Sequence, residues 1–215
     1  MKGMYFISHA TARLSHLQGM EAALKGGCRW IQLRMKDADD ESYCRTATEV
    51  RMLCDHYRAR LILDDRAHLV KKTHADGVHL GSMDMPVAEA RRLFGEERYI
   101  IGATANTTEQ AIAAAQAGAD YLGCGPFRFT TTKAKLAPIL GLEGYRRIIT
   151  GLRKRGIAIP VFAIGGIREG DISEIFSTGV QGIAVSGAVT GAKNPAEAMR
   201  IMVERCAEQW DKFTE

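Results

Sequence analysis

The sequence lacks any apolar run long enough to span a membrane, and the opening Met1-Lys2-Gly3-Met4-Tyr5-Phe6-Ile7 has too short an apolar part for a secretory leader. Its five cysteines, Cys28, Cys44, Cys54, Cys124 and Cys206, are odd in number and never spaced C-x-x-C. That excludes a disulfide framework and points to reduced thiols in a cytoplasmic protein. No second histidine stands at ligand spacing from His79, which is expected to pack near a strand end, and His74 reads as a solvent-facing turn residue, so zinc is not expected. Excess charge is small: 29 basic against 25 acidic residues leave +4, with the basic residues scattered. This argues against nucleic acid or a membrane surface as partner and stays compatible with a phosphorylated small substrate. Repeats, linkers and low-complexity tracts are missing too, so a single domain over residues 1–215 is expected, with no room for a fused partner domain.

What is present is an alternation. Short apolar runs at Met4–Ile7, Trp30–Met35, Leu61–Leu63, Gly77–Leu80, Tyr99–Ala103, Tyr121–Gly125, Val161–Gly165 and Gly182–Ser186 read as strands. Between them lie helical patterns, among them Leu14–Lys25, Ser42–Tyr57, a short helix ending at Lys72, Pro86–Phe94 and Leu142–Lys154. Eight strand–helix pairs imply parallel βαβ units closed into a (β/α)8 TIM barrel. An open doubly wound sheet is the alternative, disfavoured because no G-x-G-x-x-G follows the first strand.

In such a barrel, chemistry sits at the carboxyl ends of the strands. After the second strand, Gln32, Arg34 and Lys36 alternate, so extended chain sends all three toward one side. Asp64 and Asp65 end the third strand, and Asp84 follows the fourth. Carboxylates on neighbouring strands suit Mg²⁺, which takes one or two of them with waters and phosphate oxygens. Asp64 and Asp84 are the expected pair, with Asp65 read instead as a helix cap. Thr104 offers a hydroxyl after the fifth strand. Loops after the seventh and eighth strands, Ile164-Gly165-Gly166-Ile167 and Val185-Ser186-Gly187-Ala188, expose backbone N–H groups to a monophosphate. The loop Gly125–Lys135 carries Thr130, Thr131, Thr132 and Lys133, an arrangement suited to a polyanion, and reads as a lid between two phosphate sites, whereas Lys135 reads as a solvated charge.

Six segments in this order, Q-L-R-M-K at 32–36, D-D at 64–65, H-L-G-x-x-D at 79–84, G-P-x-x-x-T-x-T-K at 125–133, I-G-G-I at 164–167 and V-S-G-A at 185–188, resemble the thiamine phosphate synthase family over almost the whole chain. The resemblance implies condensation of 4-amino-2-methyl-5-hydroxymethylpyrimidine diphosphate with 4-methyl-5-(2-phosphoethyl)thiazole, plain or carboxylated, to thiamine phosphate and diphosphate. It implies Mg²⁺ on Asp64 and Asp84, the diphosphate on Arg34, Lys36 and Lys133, and the pyrimidine end at Gln32 and Thr104. Thr130 and Thr132 would lie by the thiazole phosphate, with Gly166, Val185 and Ser186 around the monophosphate. Three positions depart from the family: Leu63 replaces an Asn, which would remove a polar contact near the diphosphate, Thr104 replaces a Ser, and Asn106 replaces a His. The similar thiazole tautomerases use that His and lack the metal aspartates. A metal-independent tautomerase and a non-catalytic binder of thiamin precursors are therefore the alternatives, and a homo-oligomer is compatible with either reading.

Overall fold

Apolar alternation of this kind hides both faces of each strand, and only a closed parallel sheet wrapped in helices does so without an edge. The computed structural model describes residues 3–130 and 137–214. Its strands are β1 (Gly3–Ile7), β2 (Trp30–Leu33), β3 (Arg60–Asp64), β4 (Gly77–Leu80), β5 (Ile100–Ala105), β6 (Tyr121–Cys124), β7 (Val161–Ile164) and β8 (Gly182–Val185). The helices are α1 (His16–Lys25), α2 (Asp40–His56), α3 (Val87–Phe94), α4 (Thr108–Gln116), α5 (Gly141–Lys154), α6 (Ile172–Phe176), α7 (Gly187–Thr190) and α8 (Pro195–Thr214). Neighbouring strands pair in parallel in sequence order, and β8 returns to β1 through Gly3 opposite Gly182 and Phe6 opposite Val185. The TIM barrel expected from the sequence is the fold observed.

Strand parity divides the core in two. Outward residues such as Phe6, Ile31, Leu33, Leu61, Leu63 and Val78 pack with the helices in one large cluster. Inward residues form a second one, in which Tyr5, Tyr121, Phe162 and Trp30 meet edge-on, apart from the stacked pair Trp30 and Phe162, with centroids 5.6–6.5 Å apart. Such contacts add about 0.5–1.5 kcal/mol per pair beyond area burial. The rings fit because small residues face them. A Cβ on Gly102 would stand 2.1 Å from Tyr121 Cζ and 2.5 Å from His79 Nδ1.

Local signals set the ends of the elements. α1 begins with a reciprocal capping box between Ser15 and Gln18, and Asp39 caps α2 by accepting from Ser42 N at 2.7 Å. Strand β2 stops at Leu33, two residues before the expected end, because Arg34 N donates to Ser8 Oγ at 2.9 Å instead of to the ladder. The helix expected to end at Lys72 is a single 3-10 turn, Ala67–Leu69. Strand β5 extends past Ala103, so Thr104 belongs to it rather than following it. Among the described residues, no helix is long and apolar enough to cross a membrane.

Candidate active site

At the carboxyl ends of β2, β3 and β4, charged side chains converge. Lys36 Nζ stands 2.8 Å from Asp64 Oδ2 and 3.9 Å from both Asp65 Oδ2 and Asp84 Oδ2, while Arg34 Nε lies 3.8 Å from Asp64 Oδ2. Asp64 is only 9% exposed, and although Lys36 makes a charge contact with its Oδ2, no aligned hydrogen bond reaches that oxygen. A buried carboxylate left in this condition needs cations nearby. Asp84 is held by its own turn, Oδ2 accepting from Gly81 N at 2.7 Å. Asp65 differs from the cap expected of it: it adopts φ 70°, no side-chain cap forms at the 3-10 turn, and its carboxylate joins the cluster. Burial, then the charge of Asp84, raises its pKa, and Asp64 adds to the rise.

The helical layer aims these groups. Tyr43 of α2 donates its hydroxyl proton to the Leu33 carbonyl at 2.6 Å and accepts from Asp64 N at 3.1 Å, joining the ends of β2 and β3. Arg66 stacks over the Tyr43 ring at 5.0 Å, donates to the Ala38 carbonyl at 2.6 Å and pairs with Asp40, which also meets His68 at 2.7 Å. That clasp fixes the chain just after Asp65. Leu63 is fully buried in the outer core, on the face of β3 opposite Asp64. The expectation that Leu63 removes a polar contact from the mouth is therefore corrected: its side chain faces the helices.

Below the mouth, Gln32 does not stand with Arg34 and Lys36. It is 1% exposed and donates from Nε2 to Tyr5 Oη at 2.8 Å. Tyr5 Oη meets Tyr121 Oη at 2.9 Å, Tyr121 Oη meets His79 Nδ1 at 3.1 Å, and His79 Nε2 meets Thr104 Oγ1 at 3.0 Å. Gln32 and Thr104 are thus brought together, but through three residues rather than directly.

On the far side of the mouth the loop after β6 packs onto the loop after β7. Phe127 N donates to the Ile164 carbonyl at 2.8 Å and Arg128 N to the Gly165 carbonyl at 3.1 Å. Gly166, at φ 71°, would place a Cβ 2.5 Å from Arg128 Cγ, so its bareness serves this packing whatever else it serves. Arg128 also pairs with Asp171 at 2.6 Å, and Asp171 accepts from Arg168 N at 2.7 Å. Arg128 was missed by sequence reasoning; its only signal was a cation inside a loop otherwise read for its threonines. Asn106 donates through Nδ2 to the Gly125 carbonyl. Ser186 Oγ is buried without a hydrogen-bond partner, a condition that suits an anion acceptor. The Val185 side chain is 4% exposed and packs in the outer core, so only its main chain can serve the mouth. Thr130 ends the described part of the loop after β6, and the predicted roles of Thr132, Lys133 and Lys135 lie outside the described residues.

Two surface clefts, about 350 and 410 Å³, run along α5 outside the barrel and include none of these residues. The five thiols are free and buried. Burial pushes Cys28 up to about 11 and Cys54, Cys124 and Cys206 up to about 12, so none of these four is a ready nucleophile. Among the described residues no three His, Cys, Asp or Glu side chains form a metal cage of their own. Hard carboxylate oxygens beside an unsatisfied buried one still fit Mg²⁺, provided substrate phosphate and water complete its shell.

The family model described as thiamine monophosphate synthase matches residues 4–189. This chain belongs to that family. Among curated relatives it is 54% identical to the thiamine-phosphate synthase of Phocaeicola vulgatus, covering 93% of this chain and 96% of that protein. It is 53% identical to that of Bacteroides fragilis, over 92% and 96% of the two chains. The solved thiamine phosphate pyrophosphorylase of Pyrococcus furiosus superposes with a TM-score of 0.84 at 35% identity, covering 96% of each chain. Thiamine monophosphate synthase relatives therefore share both the sequence and the barrel, and the charged cluster at the mouth lies within the matched region.

Proposed function

We propose that this chain is a thiamine-phosphate synthase, joining the pyrimidine diphosphate to the thiazole phosphate with release of diphosphate. The observation that carries the reading is the convergence of Lys36 and Arg34 on Asp64, with Asp65 and Asp84 ranged around the same ammonium group. Asp64 is already neutralised by these two cations. Asp65 and Asp84 are the carboxylates left to face an incoming cation, so Asp65 joins the pair Asp64 and Asp84 as a candidate holder of Mg²⁺. When bound, Mg²⁺ would supply charge neutralisation on the leaving diphosphate.

The chain's own residues do the rest by position. Arg34 and Lys36 bind diphosphate oxygens, joined by Lys133 from the loop after β6. The carbon–oxygen bond to the pyrimidine methylene breaks with its electron pair going to diphosphate, and the thiazole nitrogen forms the new carbon–nitrogen bond. The aminopyrimidine ring shares the positive charge, so no protein nucleophile is needed, in keeping with thiols held protonated. Thr104 and Gln32 address the pyrimidine. The backbone of Gly166 and Val185, the Ser186 hydroxyl and Thr130 with Thr132 address the thiazole phosphate. These are small-molecule partners; nucleic acid and membrane have no part, and free buried cysteines suit a cytoplasmic setting. A homo-oligomer is compatible with this reading and not required by it.

The test is product formation from the two purified precursors with Mg²⁺ and with EDTA, following diphosphate release. Asp64→Asn with Asp84→Asn should abolish turnover while leaving the thermal melt cooperative. Undiminished turnover in that double variant would refute the metal assignment, and diphosphate-free turnover of the thiazole alone would favour a tautomerase.

A further inference from the structure

Ser8 stands where the ladder between β1 and β2 gives way to the mouth. Phe6 lies opposite Ile31 and Ile7 opposite Gln32, so the next parallel rung would pair Ser8 with Leu33. In that rung Ser8 N donates to the Gln32 carbonyl and Arg34 N to the Ser8 carbonyl. The first bond is made, at 2.9 Å, but Arg34 N turns instead to Ser8 Oγ, also at 2.9 Å. A hydroxyl thus replaces main chain as the acceptor, and the direction from which it accepts depends on where its own proton goes. Ser8 is 1% exposed, so that proton needs a protein partner. The Arg34 amide is a donor and cannot take it. Among the described residues, the other hydrogen-bond partner of this hydroxyl is His16 Nδ1 at 2.9 Å. Burial, then the charges of His9 and Arg34, lower the pKa of His16 from 6.5, so its ring is neutral above that pH. A proton on Nδ1 would leave the buried Ser8 hydroxyl without an acceptor. The ring therefore carries its proton on Nε2, and Nδ1 accepts from Ser8.

The far end of this line is fixed away from the mouth. His16 opens α1 behind the Ser15–Gln18 capping box, and Arg13 donates to the carbonyls of Gly191 and Ala192 at 3.2 and 3.3 Å, tying the loop before α1 to the end of α7. The near end acts on one peptide unit. Its carbonyl, that of Leu33, accepts from Tyr43 Oη at 2.6 Å, and its N–H, that of Arg34, donates to Ser8 Oγ. A planar peptide held at both polar atoms fixes the direction in which the Arg34 side chain leaves the strand. We propose that Ser8 and His16 are positioning residues for Arg34: the ring nitrogen orients the hydroxyl, and the hydroxyl, with Tyr43, clamps the Leu33–Arg34 peptide so that the guanidinium is preset beside Asp64. The inference rests on the proposed function for the diphosphate that Arg34 meets there. A donor already in place needs no reorganisation as charge develops on the leaving group. Ser8 and His16 thus act through Arg34, without any need to touch the substrate.

Two measurements test this. His16→Leu removes the acceptor at similar volume, whereas His16→Asn restores one, its Oδ1 taking the place of Nδ1. In protein labelled with ¹⁵N-arginine, the amide and Nε resonances of Arg34 are assigned by their loss in Arg34→Lys. His16→Leu should shift both and speed exchange of the amide proton with solvent about three- to tenfold, the scale of one net hydrogen bond. Ser8→Ala should do so at least as strongly, and His16→Asn should return both resonances and the exchange rate toward those of the unaltered protein. In the assay, His16→Leu should lower kcat/KM for the pyrimidine diphosphate by the same factor, with the thiazole KM within about twofold. His16→Asn should recover most of that loss. Unchanged Arg34 resonances and exchange in His16→Leu would overturn the proposal. So would equal effects in His16→Leu and His16→Asn, or a thiazole KM raised as much as that of the pyrimidine diphosphate. The exchange measurement needs no substrate, so a failure of the proposed reaction would show separately, as absent turnover with the clamp intact.

Discussion

Replacing Lys36 by Met should have two effects of opposite sign. Its ammonium group stands 2.8 Å from Asp64 and 3.9 Å from Asp65 and Asp84, the space that a divalent ion serving those carboxylates would share. In the ligand-free protein it competes with such an ion. A unit charge about 4 Å from a divalent cation costs about 2–4 kcal/mol at an effective dielectric of about 40–80, and physiological salt reduces this by roughly half. Lys36→Met should therefore tighten Mg²⁺ binding to ligand-free protein by about five- to thirtyfold, read by calorimetric titration. Turnover should fall about 10²–10³-fold, because a preorganised donor to the departing diphosphate is gone. Stability without metal should drop only about 1 kcal/mol, since the Lys36 side chain is 39% exposed. Mg²⁺ affinity that is unchanged or weaker in the variant would refute the reasoning and place Lys36 outside the cation's space.

Gly102→Ala should cost about 1–3 kcal/mol by overpacking against Tyr121 and His79, seen as a melting temperature lower by about 2–10 °C. Arg128→Ala and Asp171→Asn should each raise KM for the thiazole phosphate, and the double variant should be little worse than either, with a coupling of about 0.5–1 kcal/mol in a double-mutant cycle. His16 has its pKa lowered from 6.5 by burial, then by His9 and Arg34, with Ser8 Oγ bonded to its Nδ1 at 2.9 Å. The unfolded chain thus takes up this proton first, and stability that is full above 6.5 is lost as pH falls toward the folded value. His16→Asn should flatten the fall in melting temperature from about pH 7 to about pH 5; an unaltered slope would exclude His16 as its source.

The barrel was legible because eight short apolar runs alternate with helical ones, a pattern that depends only on local periodicity. The charged positions at strand ends were legible for the same reason, whereas the expectation for Leu63 overlooked parity, which points Asp64 inward and Leu63 outward. What parity cannot tell is depth. Gln32, Arg34 and Lys36 share a side, yet Gln32 is sunk on Tyr5 while the two cations reach Asp64. Asp65 looked like a cap because capping is local, whereas its place beside Asp84 depends on the Asp40 clasp across 26 residues to Arg66. The interior chain joins Tyr5 to Tyr121 over 116 residues. A tyrosine at an inward position of a parallel barrel strand was the available signal, because its hydroxyl must find a buried partner.

Tyr43 carries a consequence for anyone altering this protein. One hydroxyl on α2 holds Leu33 and Asp64 in register, and α2 is seated by Ala47, Val50 and Cys54, all fully buried. A repacked outer shell would shift that hydroxyl and drag the Asp64 end of the mouth with it. Redesign of the helix seat is thus a remote adjustment of the charged cluster around Asp64, and thermostabilising changes there should be screened by turnover as well as by melting.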